Sequence, residues 1–599
     1  VAALDWVIVA AFLALVVGLG FWWSRRASGS VEDFFVGGRS IPWWLAGTAI
    51  LTGSFASDTP LHTTRMIREQ GLGGAWFYWG GILGGVVVAL VFSRLWRRTR
   101  LVTDNELVEL RYTGRPAAFL RGGMAVFKTL MLEVITMAWI TVGMTKIAKV
   151  IMDLPDTVAV GPFGGLPTDV LVVAVLILFA AAFCMASGFY GVIATDILEF
   201  GMAMTGAIVL GVVAFSKVGG LDGLTEGLKG APLGEHTMDI FPSPSAEGFS
   251  VLGIGVIFGV QWWAHMYVDG TGHRAQRFLA AKDERNAIAS GLWSLAVQFI
   301  IRSWPWYVAA LASLVLYPHV DDAEMVYPQM VVDLLPIGLK GIMVASFVSA
   351  FMGTMESHYN LTASYVVNDV YKRFMAKEKS ERHYVRASRV ATLLVALTAG
   401  AIALTFSSVL DAFRFKMELM AGLGLVYLLR WFWWRINGST ELVAMITSIA
   451  SAFTLAWLPA TAGGGANGSA LRLLLVVGTT AVTALVTALL TKPEPTAHLV
   501  EFYRRVRPPG WWGPIAREAG GKLPSGFGWW TFGYAGLALV FVFGCMIGVG
   551  KLILGEPGLG AVLVVAGTIC GVLTIRGVLR SKSEAELAAE LAARQSPAS

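Results

Sequence analysis

The 599-residue chain is 56% hydrophobic and 14% charged, with a mean hydropathy of +0.65 and 22 tryptophans. No water-soluble core of this length needs so much apolar surface, so the chain reads as an all-α polytopic membrane protein. The net charge of +6 and pI near 9.1 fall in clusters between apolar runs, which suits anionic lipid, and no basic patch interleaved with aromatics asks for nucleic acid.

A spanning helix needs roughly 20 mainly apolar residues. About fifteen such segments start near residues 4, 45, 73, 123, 169, 190, 249, 287, 337, 386, 409, 439, 470, 530 and 558. The first, "WVIVAAFLALVVGLGFWW", has its charges after the apolar run and no small-residue cleavage site, so residues 1–30 are expected to hold a retained extra helix. Basic clusters fall on alternate connections, among them "RLWRRTR" at 94–100, "HRAQRFLAAKDER" at 273–285, "RWFWWR" at 430–435 and "RRVR" at 504–507. The intervening "PHVDDAEMVYPQ" and "ATAGGGANGS" are acidic or neutral, which predicts an N-terminus outside and a C-terminus inside.

Two segments carry breakers at mid-depth. "LAGTAILTGSFASDTPLHTTRM" has Gly53 and Pro60, and "VLGIGVIFGVQWWAHMYVDGTGHR" has Gly259, Gly270 and Gly272. They are the second and seventh spans, five helices apart, and paired breaks of this kind point to an ion and solute site in inverted-repeat transporters. Charges at that depth cost at least about 2.5–3.5 kcal/mol each on insertion scales, so they pair or line a watery path. Cys184, Cys545 and Cys570 lack ligand-like spacing, so neither a disulfide framework nor a zinc site is expected. No Walker motif, spaced metal cluster or nucleophile elbow appears, which leaves transport ahead of a pump or an enzyme, with no organic cofactor.

The stretches "VEDFFVGGRSIPWWLAGTAI", "ASD", "TDNELVELRY", "GFYGVIATDILEF", "QRFLAAKDERNA" and "MGTMESHYNLTASYVVNDVYKRF" resemble the sodium/solute symporter family of sodium/galactose, proline and sialic-acid transporters, in the family's order from about residue 30 to 435. The likeness is to a poorly assigned bacterial branch. It implies the leucine-transporter fold: a 5+5 inverted-repeat core, with core helices 1–5 in 45–216 and 6–10 in 249–435. Two helices in 438–492, a loop at 493–528 lying on the cytoplasmic membrane surface, two helices in 529–580 and a tail at 581–599 would follow.

The resemblance also implies sites. One Na⁺ would take the carbonyls of Ala56, Thr59 and Ala350 and the hydroxyl of Thr354, with Asp58 nearby as in the proline permease branch. Gly353 stands where the family has the first hydroxyl of the pair. A second cation or proton site corresponds to Asp196, Glu356 and Ser357. Glu356 carries three open readings: a sodium ligand, a proton carrier (alone or with His358), or the partner of a buried arginine. Tyr267 aligns with the inner gate of the solute site, and the sugar-contacting places hold Thr63, Phe77, Tyr78, Ala264 and Gln298, which departs from the sugar-binding set.

Charged and aromatic residues stand in their place: Arg65 and Arg68 on core helix 1, Glu133 on core helix 3, Trp263 on core helix 6 and Arg302 on core helix 7. Arginine forks match carboxylates, so a small anionic or zwitterionic solute fits, while pairing of Arg302 with Glu133 or Asp269 is the structural alternative. The function expected is cation-coupled symport, Na⁺ first and H⁺ second, in the bacterial inner membrane. A proton-coupled or uncoupled facilitator using Glu356 and a non-transporting sensor or assembly subunit remain alternatives. Expected partners are a small-molecule solute and membrane lipids, with a homo-oligomer or an accessory membrane protein left open.

Overall fold

The computed structural model describes residues 2–24, 36–159, 165–242, 251–406, 409, 416–417, 420–456, 466–523 and 525–580. Among them, eleven helices are long and apolar enough to cross a membrane. The principal helices are α1 (Ala3–Ser24), α2 (Trp43–Thr52), α3 (Thr59–Gln70), α4 (Leu72–Thr99), α5 (Gly114–Met152) and α6 (Thr168–Lys217). They continue with α7 (Val251–Gln261), α8 (His273–Ala280), α9 (Glu284–Leu316), α10 (Leu339–Ser364), α11 (Glu381–Ala403) and α12 (Gly424–Phe432). The last are α13 (Gly438–Ala456), α14 (Ala466–Leu490), α15 (Thr496–Val506), α16 (Trp529–Ile553) and α17 (Pro557–Arg580). Continuous helix through α6 contains two apolar stretches, Thr168–Met185 and Thr195–Lys217, matching the two spans expected there. A two-stranded antiparallel hairpin, Thr157–Ala159 with Gly165–Pro167, precedes α6 and was not expected from the sequence.

Both expected breaks are present. Between α2 and α3 the chain turns over residues 53–58, and Pro60 sits in the first turn of α3, where its missing N–H costs nothing. Between α7 and α8 the backbone is irregular, with Gly270 and Gly272 at φ of 82° and 86°. There a side chain would be strained in the left-handed region. Gly424 lets α12 close on that second break, because a Cβ there would stand 2.0 Å from the Trp263 carbonyl oxygen. Among the described residues, widened π-type turns occur at five places, including Lys128–Glu133 in α5 and Val297–Arg302 in α9. Such turns recur at functional sites, and each of these two ends on a charged residue.

The charged connections separate to opposite ends of the bundle. At one end Arg98 pairs with Glu284 (2.8 Å) and donates to the Val506 carbonyl, while Arg94 donates to the Gly526 carbonyl. At the other, Asp5 at the start of α1 accepts from the N–H groups of Gly338 and Gly341.

The 493–528 segment, expected above as a loop on the membrane surface, packs part of its apolar side chains against the bundle. Leu499, Phe502, Tyr503, Val506, Trp512 and Ile515 are buried in one apolar cluster with Trp96 and Trp431. Trp512 stacks on Phe502 and Tyr503, with centroids 5.5 and 5.9 Å away, and donates its indole N–H to the Trp431 carbonyl. The physical reason is that Arg111 lies over Trp512 and Phe502 and takes three carbonyls at the end of α12, giving the aromatics a protein surface to cover instead of lipid.

Candidate ion and solute site

The break after α2 frees carbonyls, and α10 supplies a hydroxyl to one of them. Thr354, buried, donates to the Thr52 carbonyl at 2.9 Å, which brings α10 against the end of α2. The Ala56 carbonyl, expected as a sodium ligand, accepts the Thr59 N–H at 3.1 Å and keeps a second lone pair. Ala350 is buried on α10 one turn before Thr354, and Gly353 lies beside Thr52. Ser357 accepts from Arg277 at 2.7 Å and lies against Gly53.

Asp58 turns toward α5, where the absence of a side chain at Gly143 admits it: a Cβ there would stand 2.7 Å from that of Asp58. Its Oδ2 is 3.8 Å from His62 Nε2, and His62 Nδ1 meets the Tyr78 hydroxyl at 2.6 Å. Arg302 closes the same corner. Its guanidinium donates to the Ser54 carbonyl (3.1 Å) and lies 5.1 Å from the ring centroids of both Phe55 and Trp306.

A second polar cluster gathers between α5 and α10. Glu133 and His358 share a short hydrogen bond, and the Tyr267 hydroxyl donates to the other Glu133 oxygen at 3.4 Å. Lys416 donates to the Thr136 hydroxyl at 2.6 Å and lies over the rings of Trp139 and Tyr267 at 5.1 and 5.3 Å. All of Asp58, Glu133, Arg302, His358 and Lys416 are buried. Each cluster sets a cation and an acid beside aromatic rings, Arg302 with Asp58 in the first and Lys416 with Glu133 in the second, which suits a small solute bearing charge.

The remaining candidates lie apart from these clusters. Thr63 is buried on α3, and Gln298 is half-buried within the widened turn of α9. The Trp263 indole caps the Gly259 carbonyl at 2.8 Å. Arg65 belongs to a separate network: it bonds Glu69 at 2.8 Å and faces Glu324, which Lys146 also holds at 2.7 Å. These residues line a cavity of about 440 Å³. Arg68 is tied to carbonyls of Ser313 and Tyr317.

Three pairings weighed from the sequence resolve differently. Arg302 pairs with neither Glu133, which holds His358, nor Asp269, which binds Arg430 at 2.6 Å. Glu356 is wholly buried, and neither of its oxygens has a hydrogen-bond partner among the described residues, so no buried arginine neutralises it. His358 serves Glu133 and not Glu356. Two residues were missed: Lys416, hidden among the charges of "DAFRFKMELM", and Glu199, one turn beyond Asp196. Lys416 was findable as one of two basic residues in an otherwise apolar and acidic stretch at membrane depth.

A family model described as the sodium:solute symporter family matches residues 34–448. The chain is 24% identical over 484 residues to a sodium/glucose cotransporter of Vibrio parahaemolyticus, covering 76% of this chain and 86% of that one. Against sodium/glucose cotransporter 1 of Oryctolagus cuniculus it is 23% identical over 478 residues, covering 73% and 69%. Among solved structures it resembles a Na⁺-coupled sialic acid symporter in a substrate-bound outward-open state, with TM-score 0.66 and 19% identity over 82% of this chain and 99% of that one. That likeness shows the leucine-transporter-like fold. With the family model matching well over half of its length, the chain belongs to the sodium:solute symporter family, whose members are transporters.

Proposed function

We propose that this chain couples Na⁺ to the symport of a small organic anion or zwitterion by alternating access in a bacterial cytoplasmic membrane. The observation that carries the solute class is the presence of two buried cations, Arg302 against Phe55 and Trp306 and facing Asp58, and Lys416 over Trp139 and Tyr267 and facing Glu133. A neutral sugar asks for hydrogen-bonding amides and acids, whereas a guanidinium and an ammonium ask for a carboxylate. Sodium, as co-transported cargo, is assigned to the α2–α3 break, with Ala56, Thr59, Ala350 and Thr354 around it and Asp58 nearby, and to a second position near Asp196, Glu356 and Ser357. Hard cations take oxygen donors, and these are what the break and α10 offer.

The core is assigned to repeats 45–216 and 249–435, flanked by one preceding helix and four following ones. The end that gathers Arg94, Arg98 and Arg430 faces the cytoplasm, which puts the N-terminus of α1 outside and the end of α17 inside. Sodium at the break stabilises the solute-competent arrangement, and by linkage the solute tightens sodium equally.

The test is the melting temperature of purified protein in choline, sodium and lithium chloride, with a panel of carboxylates, zwitterionic amino acids and neutral sugars. The expected result is a saturable sodium-specific rise, with a further rise from a charged solute only in sodium. A rise from sugars alone overturns the solute class. A pH-dependent shift without a sodium effect moves the coupling ion to a proton at Glu356, and no response to either favours a non-transporting subunit.

A further inference from the structure

Glu199 lies one turn after Asp196 on α6, is 2% exposed, and has no hydrogen-bond partner for either carboxylate oxygen among the described residues. It is aimed at α10. A Cβ built on Gly353 would stand 2.5 Å from Glu199 Oε2 and 3.5 Å from the Cβ of Thr52. One small volume is therefore bounded by the bare backbone of Gly353, the last residue of α2 and a carboxylate. Beside it the Thr354 hydroxyl holds the Thr52 carbonyl. The glycine is thus not an empty place in the seam, because the Glu199 side chain fills it.

The neighbouring charges do not balance that carboxylate. Asp196 and Glu356 are wholly buried on the same α6–α10 seam, and their four oxygens also lack hydrogen-bond partners among the described residues. The guanidinium facing Asp196 is Arg277, which donates to Ser357 and Gln276. Three carboxylates against one guanidinium, away from water, is a costly excess of negative charge unless a cation or protons join it. Among the described residues no three His, Cys, Asp or Glu side chains come close enough to hold a metal ion by themselves, so an ion here needs backbone and hydroxyl oxygens as well as carboxylate. The corner at Thr52, Gly353 and Thr354 supplies both kinds.

We propose that Glu199 is a direct ligand of a monovalent cation of the sodium class, reaching it through the space left by Gly353. A carboxylate then stands where a side-chain hydroxyl at position 353 would otherwise act. The proposal rests on the sodium-coupled reading above and adds a residue to it. It also makes positions 199 and 353 interdependent. A serine at 353 adds an atom inside contact distance of Glu199 Oε2, so on its own it pushes the carboxylate out of the corner. With Glu199→Gln, a less strongly hydrated amide can yield and the new hydroxyl can serve.

The experiment measures radioactive sodium binding to the purified full-length protein at fixed pH and ionic strength, alongside the sodium-dependent rise in melting temperature. Glu199→Gln, close to isosteric, is expected to raise the half-saturating sodium concentration by about tenfold or more. Gly353→Ser alone is expected to weaken binding as well, and the double variant to bind more tightly than the product of the two single losses allows. Parent protein that binds sodium, with both single variants within twofold of it, overturns the role of Glu199 and leaves the sodium-coupled reading standing. Parent protein that binds no sodium overturns both. If Glu199→Gln cannot be purified, Gly353→Ser carries the test, since its collision with Oε2 predicts the same direction.

Discussion

On the function proposed above, Arg302 has two tasks that a substitution can separate. Its guanidinium holds the Ser54 carbonyl in the break between α2 and α3, and it lies between Phe55 and Trp306 where a solute carboxylate would meet it. Arg302→Lys keeps a positive charge on a flexible stem but loses the planar fork. The expected outcome is a solute affinity lowered by tenfold or more with the sodium-dependent rise in melting temperature retained, read by calorimetric titration of the carboxylate found in the screen. Loss of the sodium response instead would mean that Arg302 chiefly braces the break. At this scale the sequence was partly legible. Asp58, Glu133 and Arg302 stood out as charges inside apolar runs, and the structure buries all three. Glu199 did not stand out, because three residues from Asp196 it looked like one more polar flank of a helix, and its meaning depends on a glycine more than 150 residues away. Pairings such as Glu133 with His358 were beyond reach for the same reason: helical periodicity gives the face of a residue but not what lies opposite.

Breaks are written locally, and so they were readable as elements. Pro60 opens α3, and Gly270 and Gly272 take backbone angles that other residues avoid. The widened turns ending at Glu133 and Arg302 have no such marker, since nothing in their composition differs from ordinary helix. The same holds for the 493–528 segment. Its tryptophans and arginines fit a membrane interface equally well, and only the position of Arg111 beneath them decides for the protein surface. The segment therefore clamps the basic end of the bundle: Trp512 holds the carbonyl of Trp431, whose own indole N–H donates to Asp269 at 2.7 Å. Trp512→Ala removes the stack on Phe502 and Tyr503 and that hydrogen bond together. Truncating a buried tryptophan costs about 3–5 kcal/mol. The expected outcome is faster hydrogen exchange across α15 and the neighbouring residues 510–519, with little change in α5 and α10. Unchanged protection in that segment would show that it is held by contacts other than the Trp512 stack.

Over the whole molecule, ion pairs with buried acids gather in two sets. At the basic end Asp269 binds Arg430, which also binds Glu441 at 3.1 Å, and Lys128 binds Asp104 at 2.6 Å. At the opposite end Glu324, 1% exposed in its side chain, is held by Lys146 and faced by Arg65, drawing the 317–325 connection against α3 and α5. Under the alternating access proposed above these ion pairs open in turn, so the balance between conformations depends on which set is weaker. Removing one partner of a buried pair costs roughly 3–5 kcal/mol. That is comparable with the few kcal/mol that separate conformations of a two-state protein. Glu324→Gln leaves Lys146 and Arg65 without their shared acid and favours opening at that end. In a variant lacking Cys184, Cys545 and Cys570, a cysteine introduced by Thr63→Cys on α3 reports the opening through its rate of reaction with a membrane-impermeant maleimide. The expected result is a severalfold faster reaction after Glu324→Gln, and a slower one after Asp269→Asn, which weakens the opposite closure. Equal rates in all three backgrounds would show that these ion pairs hold helices together without governing access. Opposed changes would mean that the charge networks at the two ends compete for one conformational equilibrium, the one that sodium biases in the symport proposed above.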